Sequence, residues 1–405
     1  MIPYGKQSID ESDIAAVVEV LRSDFLTCGP KVDEFEEGFA RMCGAKYAVS
    51  CANGTAALHL AMLAAKIGAG DRVVTTPITF LASANCAVYV GAKVDFADVD
   101  PVSSCLCPES LAERWRDGTK AVVAVDFAGQ PADMQAISTV ARERGALVIE
   151  DACHAVGGKF RYQGVEHTVG GHEWADMTVF SFHPVKTLTT GEGGMVVTNN
   201  SELAERLRLL RCHGMVKDQQ DFVSFGQSGT AIAEEQVGQL YEMQEPGFNY
   251  RLSDIHAALG ISQLKRLSSF VTRRQEIVNQ YNDAFSSLEG VEIPRLGSWL
   301  ENEGSDCHRL SWHLYVLRFD WAGLGISRPE LIKRLRAAGV GTQVHYLPVY
   351  LQPWYATYFP SNGLDNADAV SKAALSLPLY PSMTDADVDK VISILIDELV
   401  ATGSV

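Results

Sequence analysis

Between Tyr47 and Ile149, short apolar runs alternate with stretches of helical periodicity, a pattern that few folds accept. The runs read as strands at Tyr47–Ser50, Arg72–Thr75, Lys93–Phe96, Ala121–Asp126 and Ala146–Ile149, with helices expected from Thr55, Ala82 and Met134. Antiparallel neighbours need only a turn, whereas parallel neighbours need a long crossover, usually a helix. The alternation therefore predicts an α/β fold whose mostly parallel central sheet is covered by helices on both faces, three α/β/α layers in all.

The flanks extend this frame. Met1 to Gln7 reads as an arm leading to a helix with a capping box of Ser8 and Glu11 and an apolar stripe of Ile14, Val17, Val18 and Leu21. A second helix is expected over Val32–Met42. A hairpin is expected over Lys159–Val169, then a strand from Met177, a Gly-rich corner, a strand Met195–Thr198 and a helix near Ser201. Lys217 to Glu245 is polar and weakly periodic, which predicts a long excursion. From Leu252 a long helical region runs to Phe285, followed by strands at Leu314–Phe319 and Gly341–His345 and helices at Pro329–Ala338 and Asp385–Glu398. This reads as a large domain, residues 1–250, and a smaller C-terminal α+β domain, residues 251–405.

Composition narrows the function classes. The charge sum of 34 Lys+Arg against 50 Asp+Glu, −16, opposes broad binding to nucleic acid or anionic lipid. Apolar stretches such as Ala82–Val90 fall short of the ~20 residues a bilayer span needs, so a cytoplasmic protein without a membrane partner is expected. Nine scattered cysteines read as reduced packing residues, and no metal-ligand spacing occurs.

Three segments carry chemistry. Ala146-Leu147-Val148-Ile149-Glu150-Asp151 puts a carboxylate at the end of a buried strand, where open α/β sheets hold ligands. Met177 to Phe182 leads through His183-Pro184-Val185 to Lys186, ahead of Gly191-Glu192-Gly193-Gly194. A lysine between an apolar strand and a Gly-rich turn loses water, which frees its amine for Schiff-base chemistry. Asn53-Gly54-Thr55-Ala56, after a strand and opening a helix, aims backbone N–H groups at one point and suits a phosphate. Pyridoxal phosphate needs all three: an anchored phosphate, an acid beside its ring nitrogen and a lysine.

The strings Asn53-Gly54-Thr55-Ala56-Ala57-Leu58, Thr76-Pro77-Ile78-Thr79-Phe80, Glu150-Asp151-Ala152-Cys153-His154-Ala155, Ser181-Phe182-His183-Pro184-Val185-Lys186 and Gly247-Phe248-Asn249-Tyr250-Arg251 give the chain a specific resemblance. Over nearly its whole length it resembles the DegT/DnrJ/EryC1/StrS sugar aminotransferases, a branch of the fold-type I pyridoxal phosphate-dependent transferases. The resemblance implies that Lys186 bonds the cofactor and shuttles the proton, and that Asp151 pairs with the pyridine nitrogen. It places His154 near the ring's phenolic oxygen or beside the acid, and Phe80 on one ring face. Gly54, Thr55, Ala56 and Ser181 would hold the phosphate. Asn249 would reach the partner's phosphate, so a complete site would need a homodimer. Tyr4, Leu26, Thr27, His345 and Tyr346 would face the substrate.

Within the family the chain is most similar to the pseudaminic acid branch, on strings such as Ser23-Asp24-Phe25-Leu26-Thr27, Arg211-Cys212-His213-Gly214-Met215 and Gln343-Val344-His345-Tyr346-Leu347-Pro348. That similarity implies transfer of an amino group from L-glutamate to C4 of a UDP-linked 4-keto-6-deoxy-N-acetylhexosamine. Alternatives are amination of another dTDP- or GDP-linked keto sugar, a dehydratase on the same scaffold, and a non-catalytic binder. The dehydratases replace the lysine by histidine, and Lys186 favours amino transfer. A Ser181–His154–Asp151 triad is disfavoured, because Ser181 lies between two Phe and no Gly-x-Ser-x-Gly elbow surrounds it.

Overall fold

The computed structural model describes residues 1–218, 221–223, 240–300 and 309–401. The chain opens with helices α1 (Glu11–Leu21) and α2 (Pro30–Cys43), then strand β1 (Tyr47–Cys51) and helix α3 (Gly54–Ala64). There follow β2 (Arg72–Thr75), α4 (Ala82–Tyr89), β3 (Lys93–Phe96), α5 (Pro108–Glu113), β4 (Thr119–Val125), α6 (Met134–Arg142) and β5 (Leu147–Asp151). A hairpin, β6 (Lys159–Tyr162) and β7 (Val165–Thr168), precedes β8 (Met177–Ser181), β9 (Gly194–Thr198) and α7 (Ser201–Leu210).

The central sheet has 7 strands in the order β1-β9-β8-β5-β4-β2-β3. Pairing is parallel from β3 through β2, β4 and β5 to β8, and β9 runs antiparallel to both β8 and β1. The strands are buried nearly end to end, as in the run Thr119–Val125, because helices cover both faces. The mostly parallel α/β sheet expected from the alternation is present, with β2 and β3 at the expected residues.

Beyond the polar excursion, whose residues 219–220 and 224–239 lie outside the described residues, the flanking β10 (Met215–Val216) and β11 (Glu242–Met243) pair antiparallel. The long helix α8 (Asp254–Phe285) follows, then β12 (Val291–Glu292), β13 (Tyr315–Phe319), α9 (Arg328–Ala337), α10 (Pro353–Tyr358), α11 (Asp365–Ala373), β14 (Ala374–Leu377) and α12 (Asp385–Val400). Strands β12, β13 and β14 form a 3-stranded antiparallel sheet. One buried cluster runs from Phe35 and Phe39 of α2 through Val271 and Tyr281 of α8 to Leu395 of α12, so α2 and the last helix share a core.

Three local expectations change. The cap of α1 is Asp10, not Ser8: its carboxylate accepts from the Ser12 and Asp13 amides, and Asp13 reciprocates to the Asp10 amide. An ionised acceptor at a helix N-terminus also gains from the helix dipole. The stripe of Ile14, Val17, Val18 and Leu21 does not enter the core, and Ile14 and Leu21 are 48% and 55% exposed. The inner face carries Asp13 instead, which accepts from Gln263 at 2.7 Å and pairs with Arg266 of α8. Gly341–His345 is not a strand; only Gln343 bridges to Ser376, because the segment turns along the edge of β14 into the cleft. The eight described cysteines are free.

Neighbouring residues on β5 point to opposite faces of the sheet. On the face away from the cleft, Glu150 is 3.0 Å from His172 Nε2, both side chains fully buried, and accepts the Thr178 hydroxyl at 2.7 Å. Burial opposes ionisation of Glu150, but His172 and the hydrogen bonds outweigh it and hold the carboxyl below its usual range. Removing one partner of a buried pair strands the other. His172→Ala is expected to cost about 3–5 kcal/mol in urea denaturation, whereas Lys159→Ala, which breaks an exposed pair with Glu166, should leave the midpoint nearly unchanged.

Candidate active site

The carboxyl ends of β5 and β8, the start of α3 and the segment after His345 enclose a cavity of about 710 Å³. Tyr4, Gly54, Thr55, Phe80, Asp151, His154, Ser181, Lys186, His345 and Tyr346 line it, ten of the expected site residues drawn together from across the chain. Ala56 lies just behind the wall in the first turn of α3, with its amide taken by the Asn53 carboxamide at 2.8 Å. Leu26 and Thr27 are exposed where Thr27 bridges Ser253, and Asn249 is exposed beside its bridge to Cys212. None of these four lines the cavity.

The acid is held from below. Asp151 accepts the Ser83 hydroxyl at 2.7 Å and the Cys153 amide at 3.2 Å. With that proton committed, Ser83 takes one in turn from Thr79, 2.7 Å away. One carboxylate oxygen is thereby directed by α4 and the other by its own strand-end turn. Ser83 carried no sequence signal, because only the packing of α4 on the sheet brings it to Asp151.

The start of α3 suits a phosphate. A Cβ at Gly54 would lie 2.8 Å from Ser181 Cβ, so the missing side chain lets α3 begin against the end of β8. There Asn53 caps the helix through Ala56, while the amides of Gly54 and Thr55 make no hydrogen bond among the described residues. Two free N–H groups at a helix N-terminus beside the Ser181 hydroxyl form an anion seat. Seat, acid and lysine line one cavity, and these residues fit pyridoxal phosphate.

Lys186 follows a tight turn in which its amide donates to the His183 carbonyl at 2.9 Å. Its amine makes no hydrogen bond among the described residues. Burial, more than any charge, lowers its pKa; Arg274 adds to the effect, and Cys153 and Asp151 oppose it. The neutral, nucleophilic form gains.

Three imidazoles surround this amine. His154 accepts the Ala128 amide on Nδ1 at 3.3 Å, which leaves the proton on Nε2, 3.3 Å from the Tyr346 hydroxyl. His313, which no motif marked, packs its ring 4.5 Å from that of His154. It arrives because Gly129, at φ +102°, lets the 127–129 turn press on the Ser311 carbonyl, where any Cβ would collide, and the His313 amide then bonds Ala128 O at 2.8 Å. His345 holds Ser376 at 2.8 Å. Burial, then the nearby Lys186, keeps His154 and His313 well below the usual imidazole range and pushes His345 down to about 3.

A model of the DegT/DnrJ/EryC1/StrS aminotransferase family matches residues 7–396. The chain is 41% identical over 399 residues to the spore coat polysaccharide biosynthesis protein SpsC of Bacillus subtilis, covering 98% of this chain and 96% of that one. Among solved structures, PseC of Helicobacter pylori, an aminotransferase involved in the biosynthesis of pseudoaminic acid, superposes with TM-score 0.86 at 30% identity over 99% of both chains. The PLP form of the putative sugar aminotransferase Spr1654 of Streptococcus pneumoniae gives TM-score 0.85 at 26% identity over 99% of both.

The buried imidazoles have a thermodynamic consequence. Each has a folded pKa below its unfolded value, so the unfolded chain binds more protons and stability rises with pH. For His345 the window runs from about 3 to 6.5: its contribution is intact above 6.5 and lost as pH falls through that range. Denaturation midpoints measured from pH 7 to pH 4 should fall, and His345→Gln should flatten the slope by up to about 1.4 kcal/mol per pH unit. Parallel wild-type and variant slopes would contradict this assignment.

Proposed function

Because the chain belongs to the DegT/DnrJ/EryC1/StrS aminotransferase family, and so is a pyridoxal phosphate-dependent sugar aminotransferase, we propose that it moves an amino group from L-glutamate to C4 of a UDP-linked 4-keto-6-deoxy-N-acetylhexosamine, the amination of pseudaminic acid biosynthesis. The observation that carries the chemistry is the single cavity that joins an anion seat, a directed carboxylate and a desolvated lysine amine. The sugar and nucleotide are supported by the branch strings and by the likeness to PseC.

Pyridoxal phosphate, when bound, supplies an aldehyde that takes the amino group and a ring that accepts electrons. The chain's own residues do the rest. Gly54, Thr55 and Ser181 bind the phosphate, with Ala56 bracing the helix start. Asp151, directed by Ser83, holds the ring nitrogen's proton, Phe80 covers one ring face, and His154 braces the ring edge through its contact with Tyr346. Lys186 would hold the cofactor's aldehyde carbon, and its amine would carry the proton between carbons. Tyr4, His345 and Tyr346 shape the sugar pocket, with Leu26 and Thr27 at its outer rim.

The working unit is a homodimer in the cytoplasm. The exposed stripe of α1, continued by Phe25 at 54% and Leu26 at 47% exposure, is apolar surface for a second copy to cover. The exposed Asn249 then reaches the partner's phosphate. A second reading, amination of a different nucleotide-linked keto sugar bound for a surface polysaccharide, is favoured by the higher identity to SpsC.

Incubation with cofactor, glutamate and UDP-, dTDP- and GDP-linked 4-keto sugars, with products weighed by mass spectrometry, separates the readings. Amination of the UDP-N-acetyl sugar supports the first; amination of only dTDP or GDP sugars sinks it and favours the second. Lys186→Ala should abolish turnover and the cofactor's lysine-bound absorbance, while Ser83→Ala should weaken cofactor retention about tenfold. Light scattering should give twice 44.0 kDa; a monomeric mass would remove the shared site.

A further inference from the structure

Arg274, in the middle of α8, is fully buried. Its Nη1 donates to three backbone carbonyls: Leu379 at 2.9 Å, Trp312 at 3.2 Å and His313 at 3.3 Å. Nε and Nη2 find no acceptor, and the guanidinium has no carboxylate partner among the described residues. A buried cation is ordinarily paired. One that is left unpaired projects its charge into its surroundings. Three carbonyl dipoles compensate only part of it, and even where burial lowers the Arg274 pKa to about 9 the group stays charged at neutral pH.

One of its acceptors belongs to the wall of the active site. The His313 carbonyl that takes Nη1 belongs to the residue whose ring lines the cavity with Lys186 and packs on His154. Glu192 and Tyr346 also line the cavity with Lys186, and the groups that act on its amine differ in sign. Asp151 and Cys153, at the end of β5, favour the ammonium form. His154, His313 and His345 are held neutral by burial and supply no countercharge. Arg274 is the cation that opposes the ammonium form.

We propose that Arg274 is a positioning residue for the Lys186 site: its buried guanidinium, which has no carboxylate partner among the described residues, disfavours a second cation in the adjoining cavity, while its hydrogen bonds hold the His313 wall in place. The same device, one cation beside another, activates catalytic lysines elsewhere. This rests on the reading that Lys186 is the reacting amine. It also gives α8 and the Leu379 loop a part in the chemistry that no cavity-lining side chain of theirs supplies.

The test is a titration of the cofactor-free protein, so it does not depend on which sugar is used. Lysines are reductively methylated with ¹³C formaldehyde, the Lys186 resonance is assigned by its loss in Lys186→Ala, and its pKa is read by NMR. Wild type should titrate below the ordinary lysine value of about 10.4. Arg274→Gln, which keeps donors for the carbonyls and removes the charge, should raise the value by about one unit. An ordinary value in wild type overturns the proposal whether or not any variant folds. So does an unmoved value in Arg274→Gln, since that would leave Arg274 a purely structural tie. A failed sugar panel with these shifts intact would reject the substrate and keep the device.

Discussion

A primary amine prefers water and charge, and burial here takes the first from Lys186 and disfavours the second. Desolvation is the largest influence on that amine, and the other features of the site follow from it. To keep water away, the turn after β8 is roofed by segments from the far half of the chain: the stretch that carries His313, and the stretch from Gln343 to Leu347. Polar groups brought so close must be satisfied without charge. Hence the histidines are neutral, with Nδ1 of His154 on a backbone amide and Nδ1 of His345 on a serine hydroxyl.

The sheet makes this economical. Because side chains alternate along a strand, Glu150 and Asp151 serve opposite faces from adjacent positions. Glu150 ties the sheet to His172 and Thr178. Nearby Asp126 has its carboxyl raised well above the usual range by burial and then by Glu150. Asp151 stays available to the cavity, directed by Ser83. One strand end thereby anchors the fold and presents the acid.

Much of this was legible in the residues. Arg72–Thr75 and Lys93–Phe96 are strands at the expected residues because a short apolar run flanked by helices leaves little freedom. The strand at Gly341–His345 was misread because Gln343, Val344 and His345 line the cleft rather than extend a ladder. The stripe on α1 was read with the right spacing, but spacing does not say whether a face meets its own core or solvent. Asp13, an acid, occupies the buried face, because Gln263 and Arg266 wait for it on a helix some two hundred and fifty residues away in the chain.

The sequence by itself determined the layered α/β frame and the three local strings, around Gly54, Asp151 and Lys186, that mark the cofactor's contact points. These signals are short-range: each needs only a strand, a turn and the residue that follows. Ser83 beneath the acid, His313 in the wall and Arg274 behind it were decided only by tertiary structure. Each is an ordinary serine, histidine or arginine on its own element. Its role comes from burial and from the neighbours that burial enforces, quantities that depend on distance in space rather than on separation along the chain.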